Sequence, residues 1–288
     1  LTARDRQVLA LLAEHFTVTT SQLAVLVGFG SLTTARHRLA TLHARGVLHR
    51  ARPFRPGGGS FEWQWMLGPV GARIVAAEHG VTPLRPAKIA ARWRRLFHGW
   101  RWEELAAQHA WFCALVAAAR AHNGPGGELM AWRSPWRVSR AWQATTDGHG
   151  LWRFPDGALL SFLLLLDDPP RIGLGELRDR LTSIPDPTLP LPVPDGFPDK
   201  TVTLIWCATL TREQRLRHAI TTQLGNDTSG LAVALGCADY AHHITSGPLG
   251  RVWLPLGVLN RRPGRLTLRE ITTALHTTHP QSHPSGRP

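Results

Sequence analysis

Residues 47–54 and 61–67 each alternate apolar with polar positions, and "RPGGGS" joins them, so the chain is expected to fold back there as a hairpin. What stands before the hairpin narrows the choice of fold. Thr2-x-x-Asp5 is a near relative of the capping box, and Val8, Leu11, Leu12 and Phe16 follow at helical spacing, which predicts a helix over about residues 3–15. Thr19-x-x-Gln22 is a fuller capping box. It opens a short second helix with Leu23, Leu26 and Val27 on one face, ending at Gly28. After Gly28-Phe29-Gly30-Ser31, Thr33 is expected to cap a third helix carrying Ala35, Leu39 and Leu42 inward and closing near Gly46. Three helices and a basic hairpin predict a winged helix-turn-helix over residues 1–80.

With Ala35, Leu39 and Leu42 facing the core, Thr34, His37 and Thr41 fall on the outer side of the third helix, with Thr33 at its start and Arg36 and Arg38 on its flanks. These residue types suit a major groove, because Arg reads guanine in bidentate fashion and Thr bonds bases or touches a thymine methyl. Arg50, Arg52 and Arg55 on the hairpin suit phosphates or the minor groove. The competing reading is a small helical domain whose Arg are merely solvated, or one that binds protein. Residues 70–79 form a further amphipathic helix that either supports the hairpin or begins a homodimer contact. Residues 81–102 carry six basic residues and no acid, with Pro83 and Pro86, and are expected to be a basic linker. Trp93, Phe97, Trp100 and Trp102 imply that its second half packs or stacks.

The charge distribution agrees with a nucleic-acid partner at the front. Residues 1–102 hold 15 Lys/Arg against 4 Asp/Glu, whereas residues 151–200 hold 5 against 8, although Lys occurs only at positions 88 and 200 and an Arg bias also follows from base composition. At 288 residues, with 43% hydrophobic residues and 12 Trp, the chain has room for two domains with cores of their own. The longest apolar run, residues 158–166, is too short to span a bilayer, and residues 1–14 are amphipathic and charged rather than a signal peptide. A cytoplasmic protein without membrane contact is expected. Cys113, Cys207 and Cys237 lie far apart in apolar contexts and read as buried thiols rather than zinc ligands or disulfides.

Beyond residue 102 the pattern is helix, strands, helix, strand, helix, strand, an α/β order over residues 103–265. The helix at 103–122 places His109 on its apolar side, as a core histidine. Strands are expected at 129–132, 136–142, 150–154 and 158–166, then a helix at 176–184, a strand at 201–209, a helix at 211–224 and a strand at 231–237. Arg212, Arg215, Arg217 and His218 form a basic face on the 211–224 helix, extending a DNA track or simply solvated. Residues 266–288 are expected to be a C-terminal helix and a disordered tail. The histidines at 242, 243, 276, 279 and 283 have no metal-site spacing, and no phosphate loop or Gly-x-Ser-x-Gly elbow is present.

"LTARDRQVLALLAEHFTVTTSQLA", "ARHRLATLHARGVLHR", the His109 helix, "RFPDG" and "TVTLIWCATLTREQRLRHAI" resemble the replication-relaxation proteins found mostly in actinobacteria and their plasmids, over about residues 1–256. The resemblance implies an N-terminal winged helix and a role in plasmid replication, relaxation or mobilisation, or in its transcriptional control. It also implies a second domain with a restriction-endonuclease-like α/β fold of the PD-(D/E)XK type. An active core of that kind holds Mg²⁺ between an Asp and a Glu on adjacent strands, with a Lys two residues after the Glu. Pro155-Asp156 matches the first element, but Leu165 stands at the Glu position and Asp167 at the Lys position. Arg180 replaces what relatives commonly have as Lys, and Arg is a poor base.

The expected function is therefore a sequence-specific double-stranded DNA-binding protein with a catalytically degenerate nuclease-like domain and no cofactor. The catalytic and metal candidates are Asp156 and Asp167, with Arg180. The enzyme alternative is a Mg²⁺-dependent nickase in which Asp156, Asp167 and Asp168 share the ion, assisted by Glu176 or Asp179. Against it, Asp156-Gly157 makes an ordinary hairpin turn, and Asp167-Asp168-Pro169-Pro170 an ordinary strand end. A third alternative is a protein-interaction adaptor that recruits a relaxase or a replication initiator.

Overall fold

The computed structural model describes residues 1–54, 57–98, 101–121, 124–167, 173–182, 184, 200–224, 232–242, 247–260 and 264–277. It divides into two compact units, Leu1–Ala117 and Ala118–Pro288.

In the first unit, α1 (Ala3–His15) starts at a complete capping box between Thr2 and Asp5, and α2 (Thr20–Val27) at a second between Thr19 and Gln22. Each box satisfies two backbone donors that a helix start otherwise leaves unpaired. Gly28 ends α2 at φ 71, a left-handed conformation that suits glycine. The third helix, α3 (Leu32–Ala44), is capped by Ser31, whose side chain accepts from the Thr34 backbone N–H. The cap expected at Thr33 thus lies two residues earlier, because Ser31 already has the extended backbone a cap needs.

β1 (Val18–Thr19), β2 (Leu48–Ala51) and β3 (Gln64–Leu67) form an antiparallel sheet in the order β1-β3-β2. Val8, Leu9, Leu12, Leu23, Ala35, Leu39, Leu42, Leu48 and Trp65 make the core beneath it. α4 (Pro69–Glu78) packs against α1, β2 and β3 and so supports the hairpin.

Residues 81–102, expected to be a basic linker whose second half packs or stacks, carry α5 (Pro86–His98) over most of their length. Pro86 takes the first position of that helix, where its missing N–H would be unpaired in any case. The compact units also divide inside α6 (Arg101–Arg120) rather than at residue 103, so most of this helix belongs to the first unit. Its Trp102 meets Phe61 edge-on at 4.6 Å, and its Gln22 contact runs through the Ala106 carbonyl.

The second unit is built on a six-stranded sheet in the order β4 (Glu128–Arg133), β5 (Gly148–Arg153), β6 (Leu159–Asp167), β7 (Thr201–Cys207), β8 (Ala232–Cys237), β9 (Leu254–Gly257). β6, β7 and β8 run parallel, and the outer pairings are antiparallel. α8 (Leu174–Thr182) and α9 (Leu210–Leu224) connect the parallel strands, and Leu181, Leu216 and Ile220 cover Leu165, Ile205, Val233 and Leu235. α7 (Pro135–Trp142) lies on the same face through Val138, Trp142 and Leu163. The strand expected at 136–142 is this helix. Trp136, Val138 and Trp142 mimic alternation, but Ser134-Pro135 is a helix start. α10 (Ala238–His242) follows β8, and α11 (Leu268–Thr277) packs on β6. The tail expected to be disordered, beyond residue 277, lies outside the described residues.

The register leaves no room above Gly150. A Cβ built there would stand 2.2 Å from Phe162 Cζ, in the opposing position on β6. Gly150→Ala is expected to destabilise the unit by about 1–3 kcal/mol, with partial recovery on adding Phe162→Leu, both read by denaturant unfolding.

Candidate nucleic-acid interface and the carboxylate cluster

α3 is presented by its neighbours rather than by its own propensity. Arg38 projects from its middle onto Asp5 of α1, donating from Nε at 2.8 Å and from a second guanidinium nitrogen to the other oxygen. The Asp5 side chain is 1% exposed. The Arg38 hydrogen bonds hold its carboxyl down at about 2, against the opposing effect of burial. Arg4 lies over Phe29 at 5.2 Å, tying the start of α1 to the turn before α3. Thr33, Thr34, Arg36, His37 and Thr41 are then all exposed on one side of α3. Among them, Thr34 exchanges a hydroxyl contact with Ser31 at 2.9 Å, and Thr41 donates to the His37 carbonyl. Arg38, named with them from the sequence, is half-buried and committed to Asp5.

On the hairpin, the Arg50 guanidinium lies 4.3 Å from the Trp63 ring centre and that of Arg52 at 5.7 Å, with Arg52 Nε donating to the Phe61 carbonyl. Stacking of this kind stiffens a cation without neutralising it. Arg55 lies outside the described residues. Phe54, next to the hairpin tip, is 85% exposed. Of the aromatics named in residues 81–102, Trp93 stacks on His49 with ring centres 4.1 Å apart and planes 1° from parallel, and Trp100 lies outside the described residues.

The nuclease-type candidates are separated by the strand that carries them. Asp156 sits in the β5–β6 turn, exposed, bonding the Ala158 N–H and paired with Arg269. Asp167 ends β6 at the far side, about 26 Å away along a nine-residue strand. One Mg²⁺ cannot bridge them, and the nickase built on Asp156 with Asp167 fails on geometry. Asp168 lies outside the described residues.

The carboxylate that does share the end of β6 with Asp167 is Asp147, which the sequence reading missed. Its N–H donates to the Leu164 carbonyl, its Oδ2 accepts from the Leu166 N–H at 2.7 Å, and Arg180 stands 3.9 Å from that oxygen. Only the antiparallel register of β5 on β6 brings it there; "TTDGHG" by itself reads as a turn. Arg180 also bonds Glu176. Asp167 is fully buried, and both its oxygens accept from Arg212, at 2.7 and 2.8 Å. Its neighbour in register is Cys207, with Cys237 one strand further on, and burial pushes both thiols up. Arg212 is thus drawn inward from the expected basic face, leaving Arg215, Arg217 and His218 exposed.

Leu165, at the position of a metal-binding Glu, is wholly buried under α8 and α9. The cluster's oxygens face guanidinium groups and backbone N–H, which supply positive charge but leave no open carboxylate pair for a hard cation. Among the described residues there is no group of three or more His, Cys, Asp or Glu that could hold a metal, and no helix long and apolar enough to cross a membrane. Two buried histidines also lie apart from any such group. His109 meets His15 edge-on, and His149 Nε2 shares a hydrogen bond with Ser161, which continues to Thr201 across the sheet. Burial holds both imidazoles down, at about 3.

A family model described as "Replication-relaxation" matches residues 9–168, more than half of the chain, spanning all of the first unit's sheet and the second unit as far as the end of β6. No curated protein and no solved structure matches.

Proposed function

The chain belongs to the replication-relaxation family, and on that premise we propose that it is a sequence-specific double-stranded DNA-binding protein acting in plasmid replication, relaxation or mobilisation. The observation that carries this reading is the exposed row Thr33, Thr34, Arg36, His37 and Thr41 on a helix fixed at its start by Ser31 and at its middle by the Arg38–Asp5 pair. The element order α1-β1-α2-α3-β2-β3 is that of a winged helix, in which the third helix enters the major groove. Arg36, His37 and Thr34 read base edges. Arg50 and Arg52, fixed on Trp63, hold phosphates.

The second unit is a nuclease-like domain without its metal chemistry. Supporting this are Leu165 in place of the acid, the Arg212 guanidinium on both oxygens of Asp167, and the distance between Asp156 and Asp167. It serves as a platform for further DNA or for a relaxase or replication protein.

Substitutions separate reading from holding. Arg36→Ala, His37→Ala or Thr34→Ala is expected to relax discrimination between site and mismatched duplexes, by about 1–3 kcal/mol for a bidentate base contact. Arg52→Ala is expected to weaken all duplexes alike and to lower the slope of log K against log salt by about 0.9. Equal effects of all four on every sequence, in fluorescence-anisotropy titrations, would remove α3 from the reading role.

A further inference from the structure

We infer that α5 is a second, sequence-independent DNA-binding element, which grips the phosphate backbone on a surface separate from that of α3. Arg85, Lys88, Arg92 and Arg95 recur at three- and four-residue steps, so they share one side of the helix. Over ten residues this stripe runs about 15 Å. Arg94 stands on another side of the helix, about 100° round from Arg95, and all five are exposed. α5 contains no acidic residue, and among the described residues none of these five cations pairs with a carboxylate. Elsewhere in the protein, Arg38, Arg212, Arg265 and Arg269 all do. Burial first, and the neighbouring Arg95 charge second, lower the affinity of Arg92 for its proton.

Such a row is costly to hold unless a polyanion meets it. Duplex DNA presents about one negative charge per 1.7 Å of its axis, so a rigid 15 Å row of cations faces several phosphates at once.

The row is held rigidly. On the adjoining side of α5, Ile89 is buried, and Trp93 stacks face to face on His49 of β2. Arg92 lies 3.7 Å from the ring centre of Phe16, the residue that caps the end of α1. The start of α1, by contrast, meets the α3 side through Arg4–Phe29 and Asp5–Arg38. α1 is a 13-residue rod about 20 Å long, so the α5 stripe and the reading helix are attached near its opposite ends. A protein built this way holds flanking DNA, or a second segment, while α3 occupies its site. The choice of DNA as the polyanion rests on the function proposed above.

The test uses the full chain, a random-sequence duplex and a salt series. Lys88→Gln/Arg94→Gln/Arg95→Gln leaves the Arg92–Phe16 contact in place and is expected to keep the wild-type melting temperature. It should lower the slope of log K against log salt by about 1.8, roughly 0.9 for each of Lys88 and Arg95 on the stripe. Arg94→Lys/Arg95→Lys keeps the charge and should keep the slope. An unchanged slope in the triple variant would overturn the assignment, as would an equal loss in the charge-keeping variant, or a loss confined to an RNA duplex. Because the probe contains no selected site, failure here leaves the reading role of α3 intact. Conversely, loss of sequence preference in Arg36→Ala would leave this slope in place.

Discussion

Arg212→Ala is expected to destabilise the Ala118–Pro288 unit by about 3–5 kcal/mol, seen as a lower denaturant midpoint for that unit with little change in the first. The Asp167 side chain is 0% exposed and Arg212 15%, and the guanidinium fills both carboxylate oxygens. Removing the cation leaves a buried, unpaired carboxylate beside Cys207, its register partner on β7. Most of the effect is the unpaired acid rather than the strength of the pair. Asp167→Leu combined with Arg212→Met should therefore recover much of the loss. Asp156→Ala is the contrasting case. Its pair with Arg269 is half exposed on both sides, so little change is expected. Had these two acids formed a metal site, they would respond together; here only the buried one matters to the fold.

Mild acid is expected to weaken both units, each through one histidine. His109 in the first unit and His149 in the second have folded pKa values held down to about 3 by burial, against 6.5 for the free side chain. Above 6.5 both states are neutral and the contribution is whole. Below it the unfolded chain takes up a proton that the folded chain refuses, and stability falls as pH drops toward 3. The loss is on the order of 1 kcal/mol per pH unit for each histidine, or about 3 kcal/mol for each unit of the fold at pH 4.5. His149 has Arg133 as a secondary like-charge influence, and its ring bonds Ser161 and meets Trp142 edge-on. His109→Gln and His149→Gln should each flatten the pH dependence of one unit's unfolding free energy. Asp5 acts in a separate window: its stabilising pair with Arg38 is whole above pH 3.8 and fades only toward 2.

Local chemistry was legible in the sequence wherever a few consecutive residues decide it. The Thr2–Asp5 and Thr19–Gln22 boxes, the Gly28 stop and the inward row Ala35, Leu39, Leu42 all stand where their spacing puts them. Proline was less legible. Pro86, read with Pro83 as marking a linker, opens a helix, and Pro135 opens the helix that stands where a strand was expected at 136–142, because at the first helical position the missing N–H is no loss. Long-range register was not legible. Asp147 joins Asp167 because β5 runs antiparallel beside β6, and Arg212 reaches inward because α9 crosses the end of that strand. The same absence of register made Asp156 look like a partner of Asp167, since separation along a strand is visible only once the strand's ends are known. Arg38 illustrates the limit for the proposed interface. A helical wheel places it on a flank of the outer face, but Asp5, 33 residues earlier, takes it.

The proposal that α3 reads a DNA sequence is tested most directly by selection from a pool of random duplexes with the full chain at moderate salt. Enrichment of one motif, lost in Arg36→Ala or His37→Ala but kept in Lys88→Gln/Arg94→Gln/Arg95→Gln, is the predicted result. Recovery of unenriched sequences, with binding that vanishes as salt rises, would contradict it.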